Sequence, residues 1–247
     1  MNRRAPVMHR RPEGSGMQES SSEFTVSDAW RETYPGAAIG VFAMRDVANP
    51  EHHVGLDARK AELESELRVR FAGHDRNALK AIPTIRAYND YYKRFGKSYH
   101  VQLQLESVVR KGKPIPRVAA LVEAMFMAEL KNQLLTAGHD LDSLEIPAGV
   151  DVASGNESYV RMDGREQILK AGDMMISDAR GVISSVVYGP DRRTRITPET
   201  KRVLFTVYAP PGIDGEAVRL HLEDIRANVL VVSPDAQTDA IEVLETE

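Results

Sequence analysis

The chain has 247 residues, 42% of them hydrophobic, which suits one large domain with a real core. Its net charge is -4, from 32 basic and 36 acidic residues, so no overall positive field draws it to nucleic acid, although a local basic face remains open. It has no cysteine, which excludes disulfides, thiolate zinc sites and a cysteine nucleophile.

Residues 1–24 carry arginines but no apolar core behind them, and Arg, Gly, Ser and Pro dominate. They read as a flexible tail rather than a secretory signal. No stretch approaches the roughly 20 apolar residues of a membrane span, so a cytoplasmic protein with no membrane contact is expected. Residues 37–44, a small-apolar run after Tyr34-Pro35-Gly36, predict a buried strand. Leu56, Leu63, Leu67 and Phe71 fall at helical spacing and predict an amphipathic helix closed by Gly73. A second helix should start after Pro83 and stop at Gly96, ending in the aromatic patch of Tyr88, Tyr91, Tyr92 and Phe95.

Residues 102–110 predict a third helix, running into the basic, proline-stiffened loop Lys111-Gly112-Lys113-Pro114-Ile115-Pro116-Arg117. A long helix over 118–135 puts Val118, Leu121, Val122 and Met125 on one stripe. Glu129 and Asn132 continue that stripe, which is unusual for a purely structural face. The second half alternates short strands with turns: 158–161, 167–169, 174–177, 182–188 and 203–208. A helix over 215–227, with Val218, Leu222 and Ile225 inward, closes a domain spanning 25–232. Residues 233–247 read as an acidic tail without a partner. The whole is an α+β arrangement, one helical half packed on an antiparallel-rich half, and not a βαβ alternation.

Nucleotide-binding, zinc-protease and G-x-S-x-G hydrolase motifs are absent, so no metal and no cofactor is expected. His52-His53 reads as a pair of turn histidines. Polar residues gather at element ends instead: Arg117, Glu123, His139, Asp140, Asp142, Asp178, Asp191, Arg192, Thr194 and Thr200. The cluster 191–195, just before the smooth strand 203–208, is either the rim of a site or a solvated turn.

Several stretches are similar, in order and spacing, to the B3/B4 domain: "YPGAAIGVF", "AYNDYYKRFGK", "LESVVRKGKPIPRVAALVEAMF", "HDLDSLE", "VRMDGREQILKAGDMMISDARGVI" and "RRTRITPETKRVLF". That domain occurs in the β subunit of bacterial phenylalanyl-tRNA synthetase and as free-standing small proteins, which this chain resembles more. The resemblance implies a tRNA-binding module, or a trans-acting deacylase that hydrolyses a mischarged ester by placing water beside the 3′-terminal adenosine. It implies His139 and Glu123 as catalytic candidates and Asp191, Arg192, Thr194, Asn132 and Glu129 as ligand contacts. Arg110, Lys111, Lys113 and Arg117 would hold RNA phosphates.

The chain departs from the family pattern at Ala119 and Phe126, where asparagines are expected, while Glu123 keeps the acidic position. Arg192 falls where the synthetase carries a carboxylate, which points to an acceptor or an anion as the ligand group. The partner is therefore aminoacyl-tRNA or a small amino-acid-like ligand, with no DNA expected; a binding module without chemistry, or one for a partner peptide, are the other readings. Glu123→Ala and Arg192→Ala are both expected to impair binding with little effect on melting.

Overall fold

The computed structural model describes residues 24–246, so the N-terminal tail, but for Phe24, lies outside them. The described residues open with β1 (Phe24–Val26), α1 (Asp28–Thr33) and β2 (Ala38–Arg45), the apolar run, buried at every position but Arg45. Five helices follow: α2 (Val54–Arg70), α3 (Arg76–Lys80), α4 (Pro83–Arg94), α5 (His100–Lys111) and α6 (Ala120–Asn132). In α2, Leu56, Leu63 and Leu67 are buried, as their spacing requires. The adjacent histidines have ordinary work. His53 caps α2, its Nδ1 accepting from Leu56 N at 3.3 Å, and His52 Nδ1 lies 3.0 Å from Asp57 Oδ2.

The helix expected to reach residue 135 ends at Asn132. Gln133 enters the left-handed region at φ 56, its N–H bonding Glu129 O at 2.7 Å. Its side-chain amide donates to Leu130 O and Lys131 O, both at 2.8 Å, so orphan helix carbonyls are satisfied without a glycine. The chain leaves as β3 (Leu135–Asp140), a strand where the sequence pattern predicts the helix and its exit.

After a 3-10 turn (Leu141–Ser143) come β4 (Ala148–Val152), β5 (Ser158–Val160), β6 (Glu166–Ile168), β7 (Met174–Asp178), β8 (Gly181–Ser185) and β9 (Gly189–Pro190). The chain ends with β10 (Arg202–Ala209), α7 (Gly215–Val232) and β11 (Gln237–Glu245). One sheet has the order β11-β2-β10-β3 and is antiparallel throughout; the other, β1-β4-β7-β8-β9, is antiparallel except for the β1–β4 pair. β5 and β6 form a separate hairpin. The class is α+β, as expected.

The acidic tail is a correction. Residues 237–245 pair with β2 from Gln237↔Arg45 to Glu245↔Ala38 and cover what would be an open sheet edge. Thr246 ties off the end, its Oγ1 donating to Tyr34 O at 2.8 Å. On the helical side α7 lies close against β2: a Cβ at Gly40 would stand 2.7 Å from Val218 Cγ1, so glycine there sets the approach. The aromatic patch on α4 joins the two sheets. Tyr88 OH donates to Tyr208 O of β10, Tyr91 OH to Asp173 Oδ1 at 2.6 Å, and Tyr92 OH to Val186 O at 2.6 Å. Each buried phenol thereby has a partner. Among the described residues no helix is long and apolar enough to cross a membrane.

Candidate functional site

A cavity of about 310 Å³ opens where the two halves meet. Helix α6 supplies Val122, Met125, Phe126 and Glu129, and β3 supplies residues from Leu135 to Gly138. Opposite stand Ser185 and Val186, β9, and the loop residues Arg195 and Ile196. His100 and Gln104 of α5, Met162 of the β5–β6 turn and Tyr208 of β10 complete the wall. Helix α6 and the loop after β9 thus face a common hollow. Its lining is mainly apolar, with a few polar groups, the usual make-up of a small-molecule site.

The groups expected to do chemistry are elsewhere. Glu123 does not line the cavity. It is buried in an ion pair with Lys60 Nζ at 2.8 Å and accepts from Val118 N at 2.9 Å, closing the entry to α6. His139 is fully buried on β3, its Nδ1 2.8 Å from Thr194 Oγ1, and burial lowers its pKa to about 3. It is therefore neutral and sealed at physiological pH, and it too stands outside the cavity lining.

Asp191 and Thr194 are loop architecture. Asp191 accepts from Thr194 N at 3.0 Å, from Thr194 Oγ1 and from Arg193 N at 3.2 Å, while Thr194 O receives Asp140 N at 2.7 Å. Asp140 Oδ1 holds Asp142 N at 3.0 Å, and Thr200 Oγ1 donates to Asp140 Oδ2 at 2.7 Å. Arg193, not singled out from the sequence, carries the structural charge of this segment. Its guanidinium bonds Asp178 twice, at 2.9 and 2.8 Å, and Ser143 O at 3.0 Å. Arg192 and Arg195 are both exposed, and it is Arg195, not Arg192, that lines the cavity. The 191–195 cluster is therefore both things at once: a rim on its exposed side, a hydrogen-bonded turn on its buried side.

On the α6 stripe, Asn132 turns to α7, donating to Asp224 Oδ2 at 2.9 Å and lying 3.3 Å from His221 Nδ1. Glu129 is the ligand candidate that the cavity keeps. Its Oε1 accepts from Thr136 N at 2.8 Å, while Oε2 is buried with no hydrogen-bond partner among the described residues. Burial pushes its pKa up to about 8, against the downward pull of the Thr136 N–H. At neutral pH it is mostly the uncharged acid.

The four cations proposed for RNA are exposed at the far end of α5 and in the loop beyond. Arg117 pairs with Asp57 at 3.1 Å; Arg110, Lys111 and Lys113 make no ion pair with a described residue. A second basic surface lies closer. Lys80, Arg86, Lys93 and Lys97, with Asp90 as the one acid, line a groove of about 340 Å³ whose floor includes Gln102 and Leu103 of α5. His100 and Gln104 of the same helix belong to the cavity, with Leu103 on the face beside them and Gln102 on the face opposite. The groove is hard to see in the sequence because its lining comes from three helices; the Arg86-Lys93-Lys97 spacing, repeating near the helical period, is the signal that points to it.

A family model described as the B3/4 domain matches residues 87–239. The chain belongs to the B3/4 domain family. The matched span contains every wall of the cavity, from His100 to Tyr208. No curated protein matches this B3/4 chain. Among solved structures, an N-terminal fragment of the phenylalanyl-tRNA synthetase β-subunit from Pyrococcus horikoshii is similar at 12% identity with a TM-score of 0.47. The match covers 94% of this chain and 56% of that one, so the B3/4 chain spans little more than half the length of that fragment.

Proposed function

We propose that this B3/4 protein binds the acceptor end of an aminoacyl-tRNA, with the aminoacyl group in the cavity. The observation that carries this reading is that α5 contributes both to an apolar, amino-acid-sized cavity, through His100 and Gln104, and to a basic groove, through Gln102 and Leu103. A nucleic-acid strand laid in the groove would have its phosphates held by Lys80, Arg86, Lys93 and Lys97 without sequence being read. Arg192 and Arg195 would hold the last phosphate at the cavity mouth. Arg110, Lys111 and Lys113 lie ten or more residues beyond His100, about 15 Å along the helix, and would meet the strand farther from its end.

Ester hydrolysis is the finer part of the proposal. With His139 sealed and Glu123 paired, neither catalytic candidate reaches the cavity, so hydrolysis there would rest on placing a water beside the ester. The test is a panel of mischarged tRNAs, following salt-sensitive retention and loss of the ester. Retention with ester loss above the protein-free rate is expected. Retention with the ester intact leaves a binding protein, which the position of His139 and Glu123 outside the cavity favours. Neither retention nor ester loss on any tRNA would overturn the reading.

A further inference from the structure

The polar groups of the cavity are nearly all engaged already. Tyr208 OH bonds Ser184 Oγ, and Thr136 Oγ1 lies 2.7 Å from His221 Nε2. Glu129 Oε1 is taken by Thr136 N. Gln104 and Arg195 keep donors open on the more exposed part of the wall; the buried atom left over is Glu129 Oε2, on a side chain 1% exposed, with Met125, Phe126, Leu135 and Ile196 among the apolar lining. An unmet buried polar atom costs stability that a bound partner restores. Resting on the reading of the cavity as an aminoacyl site, we infer that Glu129 is a specificity residue that acts as a neutral acid, donating from Oε2 to an uncharged acceptor on an apolar side chain.

Charge supports a donor. The groups facing Glu129 are Tyr88 and Tyr92 of α4, Tyr99 before α5, His100 of α5 and His221 of α7 through Thr136. All three phenols are held above their ordinary pKa by burial, and His221 is lowered to about 4, so these stay uncharged. Among the described residues Arg195 is the one lysine or arginine on the lining, and it sits on an exposed loop. A carboxylate brought into this cavity would lack a cation. A ligand ammonium would make Glu129 ionise and form a buried pair without the extra hydrogen bonds that such a pair needs. The favoured side chain is therefore apolar, uncharged, and furnished with one acceptor such as a ring nitrogen, an ether or a carbonyl.

Two esters of one shape isolate the effect: N-acetyl-4-pyridylalanine methyl ester, with a ring nitrogen, and its phenylalanine counterpart, without one. Calorimetry at pH 7 should find the pyridyl ester bound about tenfold more tightly, one good hydrogen bond's worth. That preference should vanish in Glu129→Leu and decline between pH 7 and 9. In Glu129→Gln, whose amide always donates, it should persist across the range. The N-acetyl-lysine methyl ester, a cation, should bind worse than either. No pyridyl preference, a preference that survives Glu129→Leu, tightest binding of the lysine ester, or no binding of any ester would overturn the inference. The outcomes separate the two proposals. An aminoacyl-tRNA retained without any pyridyl preference sinks this one alone, and a pyridyl preference without tRNA retention sinks the tRNA reading alone.

Discussion

Glu123 of α6 and Lys60 of α2 form an ion pair, Oε1 to Nζ 2.8 Å, with both side chains under a tenth exposed. A second bond from Val118 N ties the same carboxylate to the chain entering α6. The family resemblance marks Glu123 as a catalytic candidate; in the fold its carboxylate is held in this buried pair, outside the cavity lining. Without Glu123, Lys60 keeps only Asp57, whose Oδ1 is 3.2 Å from Nζ, and Val118 N loses its acceptor. Glu123→Ala should cost roughly 1–3 kcal/mol, lowering the melting temperature by on the order of 5 °C. Calorimetric melting checks this, and an unchanged midpoint would return Glu123 to the ligand groups.

Arg192 and Arg193 are neighbours with opposite tasks. Arg193 clamps the 191–201 loop to Asp178 and Ser143, whereas Arg192 is exposed and offers solvent a guanidinium. Arg193→Ala should destabilise the fold by about 1–3 kcal/mol, leaving the buried Asp178 carboxylate with only the backbone N–H groups of Glu145 and Arg180. Arg192→Ala should change stability by no more than about 0.5 kcal/mol and weaken tRNA retention. Urea unfolding and filter binding on the two variants separate these roles, and a reversal of the pattern would refute them.

Stability should fall on the acid side for an identifiable reason. His139 and His221 have folded pKa values lowered to about 3 and 4 from 6.5, because burial disfavours their charged forms. As pH drops below 6.5 the unfolded chain takes up protons that the folded chain refuses, so stability is lost from there down through the folded values. Glu129 acts in the other direction. Its folded pKa is raised to about 8, so its contribution is full below 4.5 and is lost as pH rises toward 8. Urea midpoints from pH 4 to 8 should show a shallower acid slope in His139→Gln and a shallower alkaline decline in Glu129→Gln. Slopes equal to the unsubstituted protein's would contradict both assignments.

Salt dependence locates the RNA path. Every phosphate of a single strand that a cation neutralises adds about 0.7 to the steepness of log affinity against log salt. Replacing Lys93 and Lys97 together by alanine should therefore flatten that dependence by about 1.4, with melting unchanged because both are exposed. If only Lys111→Ala with Lys113→Ala flattens it, the strand runs past the far end of α5.

How much the sequence discloses tracks how local each signal is. Runs such as 37–44 and 203–208, punctuated by Pro and Gly, specify strands on their own, and the spacing of Leu56, Leu63 and Leu67 specifies a buried helix face. β11 is hidden because its partner β2 lies near the other end of the chain and its acidic side chains outweigh the half-buried Ile241 and Val243 in any local reading. β3 is hidden by Gln133, a left-handed helix stop made by side-chain bonding rather than by glycine. In the site, Glu129 is visible as a charge on an apolar stripe. His139, Asp191 and Thr194 look alike on paper whether they face a ligand or each other, and only the packing of β3 against the 191–201 loop decides that they face each other.

Whether the aminoacyl group is held, and not only the RNA, can be tested at Gly138. A Cβ there would lie 2.8 Å from Ile196 Cδ1 and 3.2 Å from Met125 Sδ, so a larger side chain invades the cavity while the basic groove is untouched. Filter binding of aminoacylated and deacylated forms of one tRNA should show the aminoacylated form held more tightly by the unsubstituted protein, and the difference erased in Gly138→Leu. Equal affinity for the two forms in the unsubstituted protein, or a difference that survives in Gly138→Leu, would rule out the cavity as the aminoacyl site.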